Sequence, residues 1–347
     1  MTRQSPTLED VAREAGVSRA TVSRVINGIR NVDPAIQDVV RSAIERTGYL
    51  PNGAARSLVT RRAETIALVV SGAGDSEPGS EQTAFATRVF ADPFFGRVVS
   101  GVIGFLRPRS MHPVLMFAES EDARRQVRAY LRQGRADGAL VFSTHAGDPL
   151  PALLVAEGLP CVLFARPAVA APVSYVDLAH QEGGRLAAEH LLARGCRRPA
   201  TVTGPLDLPA AQDRLTGFRD AMARHGHPYV PIAEGGFTLG SGAAAAARLL
   251  AEHPDIDGLF AANDLMAQGA CETLRQQGRR VPGDVAVVGF DDSITASTCR
   301  PQLTTVRQPM EEMAATMARI LQEHIEGTRT DPTSVIFEPE LVVRESA

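Results

Sequence analysis

The sequence predicts an all-α head joined to a larger α/β body of two doubly wound, parallel-sheet lobes. Three observations point there. Charge divides the chain unevenly, the first 62 residues carry the punctuation of three short helices, and the rest alternates β-rich apolar runs with helical segments. Net charge is −4 over 347 residues, yet residues 1–62 hold ten arginines against six acids, a balance of +4. The remaining 285 residues hold 26 against 34, a balance of −8. All 36 basic residues are arginine. A small basic head on an acidic body is the distribution of a polyanion-binding module on a carrier. Hydrophobic residues at 44% and charged residues at 22% fit a soluble globular chain. No apolar run reaches the ~18–20 residues of a membrane span, and no signal-peptide core follows the N-terminus. Cys161, Cys196, Cys271 and Cys299 form no CxxC pair, which argues against a metal finger or disulfide framework and fits a reducing cytoplasm.

In the head, Thr7 and Asp10 stand at capping-box spacing before a helix whose Leu8, Val11, Ala12 and Ala15 share a face. Gly16 supplies the tight turn, and Ser18 is a good N-cap for a second helix. That helix places Val22, Val25 and Ile26 on one face; Arg19, Ala20, Thr21, Ser23, Arg24 and Asn27 fall mostly on the other. A third helix opens at Asp33-Pro34, buries Ile36, Val39, Val40, Ala43 and Ile44, and stops at Gly48. Helix, glycine turn and short helix with a polar outer face is the helix-turn-helix plan. An outer face of arginine, hydroxyls and amide, without a glutamate–lysine mixture, suits DNA: arginine pairs with guanine, and hydroxyls and amides reach phosphates or bases.

In the body, strands are expected at 66–70, 113–117, 138–142, 161–164, 200–204, 258–261 and 285–289, with helices such as 95–107, 121–133, 182–194, 209–224, 241–252 and 264–277 between them. Repeated βα units with apolar strands imply parallel sheets covered on both faces. Their number implies two lobes, with ligand bound beyond the strand C-termini. No GxSxG, HExxH or P-loop is present. Gly72-Ala73-Gly74 is a fragment of a dinucleotide fingerprint, with Glu77 where the third glycine belongs. His225 and His227 flank Gly226 and precede Pro228, so they read as loop residues; no metal site or cofactor is expected.

The segments TLEDVAREAGVSRATVSRVIN at 7–27 and YLPNGAARSL at 49–58 resemble the headpiece and hinge helix of the lac repressor family (LacI/GalR type) of bacterial transcription regulators, and the similarity extends along the whole chain. The resemblance implies a helix-turn-helix DNA-binding headpiece over 1–62, with a hinge helix at about 52–59. It implies a periplasmic-binding-protein-like effector and dimerisation domain over 63–347. Crossovers are expected near 174–178, 305–309 and 331–335, giving a first lobe of about 63–176 and 309–332 and a second of about 177–307 and 333–347.

Carried over by motif, Arg19, Ala20 and Arg24 fall at base-reading positions, Thr21, Ser23 and Asn27 at or beside phosphate-contacting ones, and Arg30 at one that reaches bases. Ala20 is too small for more than a thymine methyl. Leu58 falls at the hinge leucine that wedges into the minor groove; two helical turns are too short to stand alone, so the hinge forms against the dimer mate and DNA. The family pattern also implies effector contacts at Phe94, Phe95, Arg214, Phe237, Asn263, Asp291 and Gln308. Asp264 has a simpler reading as the cap of the next helix. Two departures stand out. The usual VDxDN near the first crossover reads Val176-Asp177-Leu178-Ala179-His180, and Arg166 stands where an Asp sometimes occurs, adding positive charge to the expected cleft. Residues 73–91 lengthen one connection and read as an exposed or disordered loop.

These implications make the chain a cytoplasmic, nucleoid-associated homodimer, a repressor on palindromic operator DNA, controlled by a sugar or sugar derivative and without enzymatic activity. No heptad repeat follows Val343, so no tetramerising coil is expected. A nucleobase or nucleoside is the alternative effector. A solute-binding protein or a sugar-active enzyme would share the body, but the first leaves the head unexplained and the second lacks a positioned acid/base.

Overall fold

The computed structural model describes residues 6–26, 32–49, 62–72, 82–143, 145 and 147–347. The chain divides into two compact units, one closing at Glu64 and the other beginning at Thr65. The expected Asn27, Arg30 and Leu58 contacts, and the hinge helix, lie outside the described residues.

The head contains α1 (Leu8–Ala15), α2 (Arg19–Ile26) and α3 (Pro34–Thr47). Thr7 and Asp10 form the reciprocal capping box, the Asp10 amide donating to Thr7 Oγ1 at 3.3 Å and the Thr7 amide to Asp10 Oδ2 at 2.9 Å. Gly16 turns the chain at φ 65°, a left-handed geometry that costs glycine nothing. Val11, Ala15, Val22, Val40, Ala43 and Tyr49 form the core. Ile36 and Val39, expected inside, are exposed. The physical reason is length: two eight-residue helices cannot cover the whole face of a 14-residue one.

The body holds twelve described strands in two six-stranded sheets, ordered β11-β5-β4-β3-β1-β2 and β12-β10-β9-β8-β6-β7. In the first, β1 (Thr65–Ser71), β2 (His112–Ala118), β3 (Gly138–Ser143), β4 (Cys161–Phe164), β5 (Ser174–Leu178) and β11 (Ser334–Phe337) all run parallel. The second comprises β6 (Pro199–Thr203), β7 (Ile232–Glu234), β8 (Gly258–Ala261), β9 (Ala286–Asp291), β10 (Thr304–Arg307) and β12 (Glu340–Val342). Only β12 pairs antiparallel there. Apolar strands such as β1 and β3 are buried nearly throughout, as parallel strands covered on both faces must be.

Strand pairing moves the expected lobe boundaries. Val176 pairs with Val335 across β5 and β11, so both strands belong to the first sheet. The chain therefore leaves the first lobe after Leu178 rather than at 176, and after Phe337 rather than at 331–335. Between these, it passes from β10 through Gln308-Pro309 into helix Met310–Glu326. The connection 73–91 also differs from expectation: residues Gln82–Ala91 are helical, with Val89 packed on the first-lobe core and the Phe90 ring edge-on to Phe95 and Phe117. No helix of the described residues is long and apolar enough to cross a membrane, and they contain no cluster of three potential metal ligands.

Candidate functional site

In the head, α2 carries Arg19, Ala20 and Arg24 exposed on one side while Val22 is fully buried on the other. That division follows from the 3.6-residue period. Arg19 Nη1 lies 3.0 Å from Glu9 Oε1, so one base-reading candidate shares its charge with α1. The Thr21 amide donates to Ser18 Oγ at 3.1 Å, and the two hydroxyls lie 2.9 Å apart, so Thr21 also takes part in starting α2. Ser23 is half-buried.

The body converges on Arg214. Its helix Pro209–Arg224 packs against helix His180–Ala193, and its guanidinium is buried, 3.7 Å over the Phe290 ring. Arg214 Nη1 donates to the Ala262 carbonyl at 2.5 Å, Nη2 to Gln308 Oε1 at 3.2 Å and Nε to His180 Nδ1 at 3.3 Å. A guanidinium only donates, so His180 Nδ1 must present its lone pair and the ring proton sits on Nε2. That nitrogen is 3.2 Å from Asp177 Oδ1 and donates to it. Burial, then the neighbouring Arg214 charge, lowers the His180 pKa, which keeps this neutral tautomer. For Asp177, burial acts upward, but the hydrogen bond from His180 and two backbone amides bring its carboxyl below the usual range.

Asp291 ends β9 with φ 104°, outside the comfortable range of a residue with a Cβ, and its Oδ1 lies 3.8 Å from Arg214 Nη1. Burial pushes its pKa well up, Arg214 pulls it down, and Asp264 and Asp92 push it up again. Asp92 starts helix Pro93–Leu106 by accepting from the Phe94 amide at 2.9 Å. Asp264 is pushed up to about 6, chiefly by burial. It does not cap its helix: Asn263 does, its Oδ1 accepting from the Met266 amide at 2.9 Å while its Nδ2 donates to the Phe237 carbonyl at 3.0 Å. Asp264 instead accepts from the Ser293 amide and hydroxyl and, at 2.6 Å, from Thr305 Oγ1. Phe237, at φ 60°, lays its ring over Gly204, where any Cβ would collide with it.

Arg214, Gln308 and Asp291 are therefore brought together, and Asn263 is tied to Phe237. Phe94 and Phe95 separate: Phe94 is half-buried and edge-on to Phe164 at 5.3 Å, whereas Phe95 is 4% exposed and packs in the core against Phe142. Neighbouring residues on a helix point about 100° apart, so a two-phenylalanine run can offer only one ring to a cleft. Arg166 lines a 470 Å³ cavity with Asp177, His180 and Asp213, but its charge is committed, Nη2 lying 2.5 Å from Asp213 Oδ2. The positive charge that its sequence position suggested is cancelled locally. His180, Asp177, Phe164 and Phe290 are additions to the expected set. Gln181 also donates to Asp213 at 3.2 Å, so the Arg166 partner is held from both sides.

A helix-turn-helix head with an exposed arginine-bearing helix and a two-lobed body with a buried polar centre define a class of ligand-responsive DNA-binding regulators. Residues 7–52 match the family "Bacterial regulatory proteins, lacI family", and residues 188–347 match "Periplasmic binding protein-like domain". The chain is 45% identical over 349 residues to the HTH-type transcriptional regulator CelR of Thermobifida fusca, covering 99% of each chain. Its fold matches a CelR–cellobiose complex with a TM-score of 0.76 at 43% identity, over 99% of this chain and 100% of that one. It also matches a lac repressor dimer bound to operator and the anti-inducer ONPF, with a TM-score of 0.83 at 26% identity over 99% of each chain. This chain belongs to the lacI family of bacterial regulatory proteins. It is a DNA-binding transcriptional regulator, not an enzyme.

Proposed function

We propose that this regulator is a homodimeric repressor, cytoplasmic and nucleoid-associated, whose hold on a palindromic operator is set by a neutral sugar bound between its lobes, most simply a β-linked glucose disaccharide such as cellobiose. One observation carries the choice of effector. Around Arg214, Asp291 Oδ1 lies 3.8 Å from Nη1, and Asp177 is reached through His180, whose Nδ1 accepts from Nε at 3.3 Å. An acidic surround repels an anionic effector and rewards hydroxyl donors, each missing partner costing about 1–3 kcal/mol in a desolvated site. Phe94, Phe164 and Phe237 supply apolar faces for sugar C–H surfaces. The 45% identical CelR, with cellobiose in the solved CelR complex, supports the same choice.

Arg214, Phe94, Phe237, Asp291 and Gln308 are the effector contacts in this reading, with Asn263 holding Phe237; Arg166 acts at the rim and Phe95 supports from the core. Arg19, Ala20, Thr21, Ser23, Arg24, Asn27 and Arg30 face DNA, and Leu58 is the hinge wedge. Effector binding resets the lobes and thereby favours or melts the hinge helices, a coupling of about 1–3 kcal/mol that changes operator affinity about 5–150-fold. The test is operator binding by anisotropy, on a site selected from random DNA, with and without cellobiose. A change of at least about fivefold, absent with glucose or hypoxanthine, is expected. No change with cellobiose, together with no shift in melting temperature, refutes this effector assignment.

Arg24→Ala is expected to cost about 1–3 kcal/mol on the selected operator and to relax preference at one symmetric base-pair position. Binding of either protein should weaken at least about tenfold between 50 and 200 mM salt, since several phosphates are neutralised. Selection of the variant against a randomised site reads the specificity; equal loss on every sequence makes Arg24 a phosphate contact.

A further inference from the structure

Arg97 stands on helix Pro93–Leu106 of the first lobe, yet it reaches the second. Its Nη1 donates to the Asp291 carbonyl at 2.7 Å and its Nη2 to the Gln308 carbonyl at 3.2 Å. The same guanidinium pairs bidentately with Glu311, Nε to Oε1 at 2.8 Å and Nη2 to Oε2 at 2.7 Å. Glu311 opens helix Met310–Glu326, also in the first lobe. Gly101 allows this pairing: a Cβ there would strike the Glu311 backbone and the Ala314 side chain, so glycine lets the two helices approach closely. The Arg97 bonds hold the Glu311 carboxyl below its usual range. Arg97 is 21% exposed at its side chain, so its bonds are only partly open to competition from water.

Both carbonyls it grips belong to residues whose side chains approach Arg214. Asp291 sits at φ 104°, and its carboxylate direction depends on that backbone setting. We propose that Arg97 is a positioning residue, which from the first lobe fixes the backbone of Asp291 and Gln308 so that their side chains meet the effector, and so ties effector capture to the relative setting of the lobes. The proposal rests on the reading of Asp291 and Gln308 as effector contacts. A planar fork is required, because only guanidinium can hold a carboxylate bidentately and still offer two hydrogens to carbonyls.

The experiment compares wild type, Arg97→Gln and Arg97→Lys in the full-length protein. Calorimetric titration with cellobiose and amide hydrogen exchange are read together. Asp292, Ser293 and Met310 provide the local amides; they donate to Thr305 Oγ1, Asp264 Oδ2 and the Gln308 carbonyl. Arg97→Gln is expected to weaken cellobiose about tenfold or more and to speed exchange at 291–293 and 308–310 beyond any change elsewhere, with Arg97→Lys restoring part of both. Unchanged exchange at these segments, or exchange that rises only in step with the whole protein, overturns the proposal. So does wild-type cellobiose affinity in Arg97→Gln. Should wild type itself bind no cellobiose, the effector assignment fails separately, and the exchange comparison alone decides the role of Arg97. Should Arg97→Gln not fold, the same two readings on Arg97→Lys decide it.

Discussion

Asp291→Ala is expected to weaken effector binding strongly while leaving the melting temperature unchanged or raised. Two opposing effects meet at this residue. Its carboxylate ends β9, 3.8 Å from Arg214, and removing it leaves effector hydroxyls without an acceptor there. A loss of about 2 kcal/mol or more follows, roughly thirtyfold in affinity. For stability the sign reverses. Burial holds the Asp291 pKa well above its usual value, with Asp264 and Asp92 adding to the push. A carboxyl whose folded pKa is raised binds more protons folded than unfolded, so folding is favoured at low pH and this contribution falls away as pH rises through the unfolded value toward the folded one. At neutral pH the ionised group is a burden, and its removal relieves it.

Arg214 is not stranded by the change, because Asp177, Asp264 and Asp92 also bear on its charge. The usual large penalty for breaking a buried ion pair is therefore blunted. Function and stability pull apart here, as they do where a site keeps a costly group for its ligand. Calorimetric titration with cellobiose and a thermal melt of the same sample check both halves. Wild-type affinity in the variant would place the ligand elsewhere.

What could be read from sequence alone follows the range of the interactions. The Thr7–Asp10 box, the Gly16 turn and the Asp33-Pro34 start are set within a few residues, and each appears where the spacing predicts it. Strands such as β1 and β3 announce themselves as unbroken apolar runs. The lobe boundaries do not, because whether Ser174–Leu178 ends one lobe or bridges to the next depends on its pairing with β11, far along the chain. Helix Gln82–Ala91 escaped for a related reason: its Val89 and Phe90 contacts come from packing onto distant strands and helices.

The site divides in the same way. Arg214, Asp291 and Gln308 were nameable from their motifs, and they do meet. The Asp177–His180–Arg214 relay was not, since it needs a strand end and two helix faces to converge. Arg166 was legible as a charge but not as a cancelled one, because Asp213 lies 47 residues away. The exposed side of α2 was legible because one buried valine fixes the rotation of a short helix.

That convergence rests on two glycines, and Gly217→Ala is expected to be among the most damaging single changes in the second lobe. Gly217 on helix Pro209–Arg224 faces the backbone of Gln181; Gly184 on helix His180–Ala193 faces the backbone of Arg214 and Phe218. A Cβ at either position would lie well inside contact distance of main-chain atoms, which cannot rotate away as a side chain can. The helices would have to separate. Overpacking of this kind costs about 1–3 kcal/mol and sometimes more. Here the loss extends to function, because the same close approach sets Arg214 Nε 3.3 Å from His180 Nδ1. Gly240→Ala is the control: it is helical too, but an added Cβ meets nothing, so it should be neutral or gain a few tenths of a kcal/mol up to about 1 kcal/mol from helix propensity. Denaturant midpoints and cellobiose titrations of the two variants separate the effects of added bulk from those of lost glycine freedom. If Gly217→Ala keeps both native stability and native affinity, the close helix contact is not what holds Arg214 in place.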